Sequence, residues 1–274
     1  MDSLFPKYDV IVVGAGHAGS EAAGAAAEIG ANTLLITMNL DAIAKMSCNP
    51  AIGGVAKGQL VREIDALGGL MGKVADKSGV QFRILNTSKG PAMWSPRCQS
   101  DRALYSKTMR EELEKKENLH FRQDNVVDVL TTDDGKTATG VKTSTGQVFE
   151  ADAVILTTGT FGNGLMHIGD TNFGGGRSGE RASIGISAAL EDLGFEVGRL
   201  KTGTPPRIDG RSINYDKLEI QYGDEDPNAF SFMTESLPSR EEQLTCWIGN
   251  TNEEVHDMLR SGFDRSPMFN GTIE

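Results

Sequence analysis

A glycine-rich run near the start of the chain has the residue types and spacing of a phosphate-binding loop. Gly14, Gly16 and Gly19 follow the pattern G-x-G-x-x-G. In such loops the first glycine permits a tight turn, the second lets a pyrophosphate approach the backbone, and the third lets a helix lie close to a strand. The start of that helix then holds the anion. We therefore expect a dinucleotide to bind at six residues: Gly14, Ala15, Gly16, His17, Ala18 and Gly19.

A second glycine-rich run, at residues 174–179, has two interpretations. It contains three successive glycines followed by Arg177. As a plain loop it needs only the freedom of glycine to adopt positive φ. As a site it would offer backbone amides and a guanidinium group to an anion. Both interpretations are open from the sequence alone.

The three cysteines limit the redox and metal chemistry that the chain can perform. Cys48, Cys98 and Cys246 are odd in number and widely spaced. They form neither a disulfide framework nor the C-x-x-C pair of redox and zinc sites. We therefore expect no dithiol chemistry of the glutathione reductase type and no metal site.

The elements around the first loop are those that a dinucleotide fold requires. Residues 10–13 have the β-branched character of a strand buried on both faces, and residues 21–29 have the alanine content of a closely packed helix. Residues 33–36 predict a second strand. The acidic residue that usually binds ribose at the end of that strand is missing, because residues 37–39 are Thr-Met-Asn. The loop therefore predicts a dinucleotide and leaves its identity open.

The middle of the chain predicts a loop-rich stretch, one helix and a set of short strands. Residues 41–97 are rich in glycine and loop formers, and such a stretch in a nucleotide fold is usually functional. Residues 101–117 predict an amphipathic helix. Four runs between residues 120 and 156 predict a small antiparallel meander. In flavoprotein-type folds, a strand such as the last run returns the chain to the sheet, which favours FAD over NAD.

The composition changes after residue 200. Residues 183–193 resemble a helix, whereas prolines, aromatic residues and an acidic run follow from residue 201. We predict an α/β fold with a Rossmann-like FAD-binding domain, including a β-meander, at residues 1–200 and an inserted second α/β module at 201–274. The last residues have no capping character, so we expect both units to be incomplete.

Composition and charge also limit the class of protein. The 274 residues are enough for a doubly wound domain and a smaller one. No apolar run approaches the roughly 18 residues needed to span a bilayer, and no leader pattern is present, so we expect a cytoplasmic protein without membrane contact. The net charge of −11 argues against broad attraction to nucleic acid. Any contact with RNA is therefore expected to be local.

Four long motifs resemble those of one protein family. They are MSCNPAIGG at residues 46–54, IDALGG at 64–69, QFRILNTSKGP at 81–91 and GRLKTGTPPR at 198–207. With shorter matches at 251–252 and 265–268, the chain resembles the glucose-inhibited division protein A family. Members are the flavoprotein subunit of the bacterial tRNA wobble-uridine modification enzyme. The resemblance covers essentially the whole chain, and family chains are more than twice as long.

The resemblance implies FAD-dependent installation of a carboxymethylaminomethyl-type group at C5 of the wobble uridine. Methylenetetrahydrofolate would supply a one-carbon unit, glycine or ammonium the amine, and NADH the electrons that reduce FAD. The implied partners are tRNA, a tRNA-modifying GTPase subunit and, for the full-length protein, a second copy in a homodimer. A basic RNA-binding part would lie outside these residues, so this chain alone is expected to be inactive.

The resemblance also implies roles for individual residues. Cys48 matches a family cysteine, and a thiolate that adds to uridine C6 makes C5 nucleophilic. Its alternative role is that of a small buried apolar residue. Val126 and Ser183 match FAD contacts. Trp94 stands where family members often have an arginine, so a contact of that arginine with RNA or folate would differ here. Cys98 and the third cysteine match no family cysteine and are interpreted as structural.

Three alternatives stay open. A folate- and FAD-dependent tRNA uridine methyltransferase shares the first loop, although the length of the segment from residue 201 argues against it. A small-molecule flavin oxidoreductase is favoured by the acidic charge. A nucleotide-binding interaction module without chemistry of its own would describe an incomplete chain.

Overall fold

A computed structural model describes residues 5–47 and 49–271. The strands are β1 (Tyr8–Val13), β2 (Thr33–Thr37), β3 (Ala51–Gly53), β4 (Gly79–Leu85), β5 (Ser95–Ser100), β6 (Leu119–Gln123), β7 (Val126–Thr131), β8 (Ala138–Thr143), β9 (Val148–Leu156), β10 (Leu165–Ile168), β11 (Thr171–Gly174), β12 (Glu219–Gln221) and β13 (Cys246–Ile248). The helices are α1 (His17–Glu28), α2 (Lys57–Ala66), α3 (Met71–Ser78), α4 (Arg102–Glu114), α5 (Ile186–Asp192) and α6 (Glu253–Arg260).

A six-stranded sheet with the order β6-β2-β1-β9-β8-β7 forms the centre of the fold. β1 lies between β2 and β9 and is parallel to both. Its side chains Ile11 and Val12 are fully buried, as expected for a strand covered on both faces. The α/β class and the parallel Rossmann-like sheet that the sequence predicts are therefore confirmed.

The meander consists of three strands rather than four. β7, β8 and β9 pair antiparallel, and the second half of β9 then pairs parallel with β1, so this strand does return the chain to the sheet. The run at residues 120–122 was expected in the meander, which is wrong, because β6 pairs parallel with β2 at the edge of the sheet. A strand that follows a helix commonly continues a right-handed parallel crossover, and β6 follows α4.

The interpretation of residues 41–97 as a loop-rich stretch is also wrong. The stretch contains α2, α3 and an antiparallel sheet with the order β3-β5-β4. α2 has ten residues and α3 has eight, and Gly68 and Gly69 lie between them. Each helix is too short to give a clear helical period in the sequence, and the glycine pair between them is typical of a loop.

The main core lies between α1 and the elements that follow β2. The side chains of Tyr105, Met109 and Leu113, which lie on one face of α4, are fully buried there. Asp101 caps α4, because its side chain accepts hydrogen bonds from the backbone of residues 103 and 104. The amphipathic helix predicted at residues 101–117 is thus present, and Asp101 is its N-cap residue.

The segment from residue 201 onwards has little regular structure of its own. β12 and β13 form a two-stranded sheet, and α6 has no buried residue. Phe230 is nevertheless fully buried in the main core. Among the described residues, we find no helix with the length and apolarity that a membrane crossing requires. The predicted domain boundary at residue 200 stays a prediction.

Candidate dinucleotide site

Two glycines of the first loop have neighbours that exclude a larger residue. Gly14 has a φ of 96°, and a Cβ built on it would lie 2.5 Å from the carbonyl oxygen of Thr157. A Cβ on Gly19 would lie 1.8 Å from the carbonyl oxygen of Gly14. The turn after β1 and the close approach of α1 to that turn therefore both depend on glycine.

Gly16 differs from the other two loop glycines because a Cβ on it would meet no atom within 4 Å. It is exposed, its φ of −72° is accessible to any residue, and it occupies the N-cap position of α1 without a side-chain hydrogen bond to the helix. The first N–H groups of a helix have no acceptor within the helix, and their dipoles favour an anion. This open, uncapped helix start has the geometry of a phosphate cradle.

Thr157 fixes the loop from the neighbouring strand end. Its Oγ1 donates to the carbonyl oxygens of Val13 and Gly14, both at 2.9 Å, and its backbone N–H donates to Val13 at 2.8 Å. Thr157 belongs to none of the sequence motifs that predict the site. Its position just after β9, at the carboxyl edge of a parallel sheet, is the signal that would have identified it.

A cleft of about 120 Å³ opens beside this loop. It is lined by residues at the ends of β1, β2 and β9 and by residues that follow β6. Five predicted site residues line it: Gly14, Ala15, Gly16, Val126 and Ser183. Residues far apart in sequence are thus brought to one cleft at the carboxyl ends of the strands, where such folds bind nucleotides.

The other three predicted loop residues do not line the cleft. Ala18 is exposed and Gly19 is buried within the loop. The ring of His17 packs edge-on against Tyr105, with 5.4 Å between the ring centroids. Burial lowers the pKa of His17 below its ordinary value. His17 therefore occupies the space between the loop and α4 as a neutral ring.

Ser183 and Val126 are brought together by Asn125, which lies between β6 and β7. The hydroxyl of Ser183 donates to the side-chain oxygen of Asn125 at 2.7 Å. Ser183 is buried, and its backbone N–H donates to the carbonyl oxygen of Phe161. It precedes α5 rather than belonging to it, although the predicted helix began at residue 183. This network fixes one wall of the cleft.

Arg177 joins a charged cluster at the cleft. Its guanidinium donates twice to the carboxylate of Glu180, and Lys45 lies 3.3 Å from the same carboxylate. Partial burial opposes ionisation of Glu180, but the hydrogen bonds and charges of Arg177, then Lys45, hold its pKa below the ordinary value. All three side chains line the cleft. The run at residues 174–179 therefore contributes a cation that is already partly neutralised.

The end of β2 presents uncharged residues to the cleft, as the sequence predicts. Thr37, Met38 and Asn39 line it, and the side chain of Asn39 accepts a hydrogen bond from the backbone of Asp41. The carboxylates among the lining residues are Asp124 and Glu180. Asp124 accepts hydrogen bonds from its neighbouring backbone and from the turn between β8 and β9. Both carboxylates thus already have hydrogen-bond donors.

The three cysteines differ in what the structure says about them. Cys48, the expected catalytic residue, lies outside the described residues. Cys98 is fully buried on β5, and burial raises its pKa to about 12. Cys246 is half-buried, and its thiol donates to the side chain of Gln81 at 3.2 Å. Neither described cysteine lines the cleft, which agrees with their interpretation as structural residues.

Trp94 lies outside the cleft as well. Its indole N–H donates to the carbonyl oxygen of Lys89 at 3.0 Å, and 46% of the residue is exposed. The indole therefore closes the hairpin between β4 and β5 while presenting part of its ring to solvent.

Comparison with known protein families gives one match over nearly the whole chain. The family model described as "Glucose inhibited division protein A" matches residues 9–274. The tRNA uridine 5-carboxymethylaminomethyl modification enzyme MnmG of Salinibacter ruber is 61% identical over 268 residues, which are 98% of this chain and 40% of that protein. The enzyme of the same name from Geobacter sulfurreducens is 57% identical over 98% of this chain and 42% of its own. The chain thus spans about two fifths of the length of these curated relatives.

Two solved structures resemble the fold described above. Aquifex aeolicus GidA aligns with a TM-score of 0.92 and 46% identity, over 98% of this chain and 45% of its own. The GidA-related protein from Thermus thermophilus aligns with a TM-score of 0.51 and 22% identity over 70% of each chain, a likeness of fold alone.

Proposed function

Because the chain belongs to the glucose inhibited division protein A family, as its motifs predicted, we propose that it forms the FAD-binding part of a tRNA uridine-modifying enzyme. The observation that carries the proposal is the open helix start at Gly16, where a side chain would occupy the space that a pyrophosphate needs. The names of the relatives favour this activity over the methyltransferase and the small-molecule oxidoreductase.

The described residues fit one end of FAD. The loop from Gly14 to Gly19 and the start of α1 would hold the pyrophosphate, and Val126 and Ser183 would hold the adenosine end. The return of β9 to the sheet beside β1 supports FAD over NAD. FAD, when bound, would supply the electron transfer. The chain's own residues bind and orient the cofactor, and Thr157 holds the loop in place.

The proposed reaction installs a carboxymethylaminomethyl-type group at C5 of the wobble uridine. Methylenetetrahydrofolate would provide the one-carbon unit, glycine or ammonium the amine, and NADH the reducing equivalents. The partners would be tRNA, a GTPase subunit and a second copy in a homodimer, in the cytoplasm. These details follow from the family resemblance.

Cys48 is proposed as the catalytic thiol. Its thiolate would form a bond to C6 of the uridine, and the electron pair of the C5–C6 double bond would make C5 nucleophilic. Loss of the C5 proton after substitution would then expel the thiolate and restore the double bond. The polar sequence around Cys48 supports this role, because reactive thiols need access to solvent.

Replacement of Gly16 by valine tests the cofactor site. We expect Gly16→Val to abolish FAD binding, measured by titration of the visible flavin spectrum, because the added side chain occupies the phosphate cradle. Stability should fall by no more than about 1 kcal/mol, because the position is open and its φ is unstrained, although valine is a poorer N-cap residue than glycine. In a polypeptide of the relatives' length that contains this chain, here called the full-length protein, uridine modification should be lost together with flavin.

Gly90→Val is the matched control. Gly90 is also exposed, its φ is −62°, and a Cβ on it would likewise meet no atom within 4 Å. This variant should keep both flavin and activity. Full flavin occupancy in Gly16→Val would contradict the assignment of the loop. A full-length protein that binds FAD but leaves tRNA uridine unmodified would contradict the proposed reaction.

A further inference from the structure

Two arginines lie directly opposite each other on neighbouring strands of the three-stranded sheet. Arg83 on β4 pairs with Arg97 on β5. Directly opposite residues project from the same face, with Cβ atoms about 4.5–5.5 Å apart, and like charges in this arrangement are destabilising. The other face carries Phe82 and Cys98, which are buried in the main core. The two guanidinium groups therefore share the outer face of the sheet.

Neither guanidinium has a partner within the described residues. No carboxylate there forms an ion pair with Arg83 or Arg97, and no hydrogen bond from either side chain is found. The Nε of Arg83 is buried without an acceptor. A desolvated donor without a partner costs free energy, more so when the group is charged. A desolvated donor of Arg83 beside a second unpaired guanidinium, that of Arg97, forms a site that an anion would stabilise.

The arginine pair is partly accessible to solvent, whereas a neighbouring residue on the same face is covered. Next to it on the same face, Gln81 is covered, because its side chain donates to the carbonyl oxygens of Gln221 and Leu244. Arg83 and Arg97 themselves are each partly exposed. β3, which pairs with β5 through Gly53 and Arg97, begins three residues after Cys48 in the sequence. The pair thus lies on the sheet whose strand β3 follows Cys48, the candidate nucleophile, in the sequence.

We propose that Arg83 and Arg97 together bind a backbone phosphate of the RNA substrate. This inference rests on the proposed function. Guanidinium groups match the geometry of phosphate oxygens and bind them through paired hydrogen bonds. Contacts of this kind position a nucleic acid without reading its sequence. On a chain with a net charge of −11, a local cationic pair is the form that an RNA contact must take.

The site is separate from the proposed cofactor site. Neither arginine lines the cleft beside the glycine loop, so the pyrophosphate of FAD does not account for the unpaired charges. Loss of RNA binding can therefore be measured while flavin binding is monitored independently.

The test compares RNA affinities of three double variants by fluorescence anisotropy. The probe is a labelled RNA stem-loop with unpaired uridine in its loop, titrated with the FAD-loaded full-length protein. Arg83→Gln with Arg97→Gln should weaken binding about tenfold or more. The slope of log K against log salt should fall by about 0.7, the value for one phosphate contact on a single strand. Arg83→Lys with Arg97→Lys should bind with intermediate affinity, because charge remains while the paired hydrogen bonds are lost.

Lys136→Gln with Lys142→Gln is the matched control, because it removes two exposed positive charges from the distant meander. It should bind RNA as the unmodified protein does. The glutamine variants of the arginines should also keep flavin and unfold at an equal or higher temperature, since like-charge repulsion is relieved. A merely structural role for the arginines would instead lower the unfolding temperature.

Two outcomes would overturn the inference. They are equal RNA affinity in the arginine variants and the lysine control, and a lower unfolding temperature in the arginine variants. The proposed function would survive each of these results if Gly16→Val still removes flavin and the full-length protein still modifies uridine.

Discussion

At the residue scale, glycine has two different roles in the loop after β1. Gly14 and Gly19 are required by packing, because a Cβ on either would overlap a backbone oxygen. Gly16 has open space around it, so the fold alone does not require glycine there. The spacing of these residues predicted the loop because each role depends on local backbone geometry. Thr157 was not predicted, because its contact with the loop spans 143 residues of sequence.

His17 should make the stability of the chain depend on pH. Burial lowers the pKa of the folded-state ring below its ordinary value of 6.5. In the unfolded chain the ring takes up a proton near that pH, so protons favour unfolding. The free energy of unfolding should therefore fall as pH decreases from 7.5 through about 6.5, and this part of the loss should be absent in His17→Gln.

Urea unfolding at several pH values checks this prediction. His256→Gln, which removes an exposed histidine on α6, is the matched control. Identical pH profiles for the unmodified chain and His17→Gln between pH 5 and 7.5 would contradict burial of a neutral ring at this position.

At the element scale, local patterns predicted β1, α1, β2 and α4, because each has a clear period or cap. The position of β6 was not predictable in the same way, since the choice between a hairpin partner and a parallel partner is made by residues far along the chain. The cleft depends on the same long-range order. Val126 and Ser183 reach it only because β7 and the segment before α5 meet at Asn125.

Asp76 on α3 should hold the segment at residues 230–234 in the core. Its carboxylate accepts the backbone N–H groups of Phe230 and Ser231, both at 2.9 Å, and the hydroxyl of Thr234 at 2.7 Å. Asp76→Asn would place an amide N–H₂ where donors already point. We expect a loss of about 1–3 kcal/mol in the free energy of unfolding, because buried donors lose their acceptor.

Urea unfolding and limited proteolysis together check the role of Asp76. The variant should be cleaved faster near residue 230, since Phe230 would be released from its buried position. Asp226→Asn removes an exposed carboxylate four residues before that segment and should leave both measurements unchanged. Equal stability of the two variants would contradict an anchoring role for Asp76.

At the scale of the whole molecule, the charge and length of the chain separate cofactor binding from the reaction on tRNA. The chain is acidic and spans about two fifths of its relatives, yet the cleft described above is built entirely from residues between 13 and 183. Cofactor binding is therefore proposed for this chain, whereas turnover on tRNA is proposed for the full-length protein. A reaction step and a binding step should then be separable by mutation.

Cys48→Ser should separate them. The substitution replaces a thiol by a hydroxyl of similar size, which is a far weaker nucleophile because it is hardly ionised near neutral pH. In the 274-residue chain we expect FAD binding to be unchanged. In the full-length protein we expect most uridine modification to be lost while the flavin spectrum and its reduction by NADH persist.

Cys98→Ser is the control, because Cys98 is fully buried among core side chains and should affect stability rather than turnover. Modified nucleoside in tRNA from cells that carry only the Cys48→Ser protein decides the question, and wild-type levels would exclude the thiol from the mechanism.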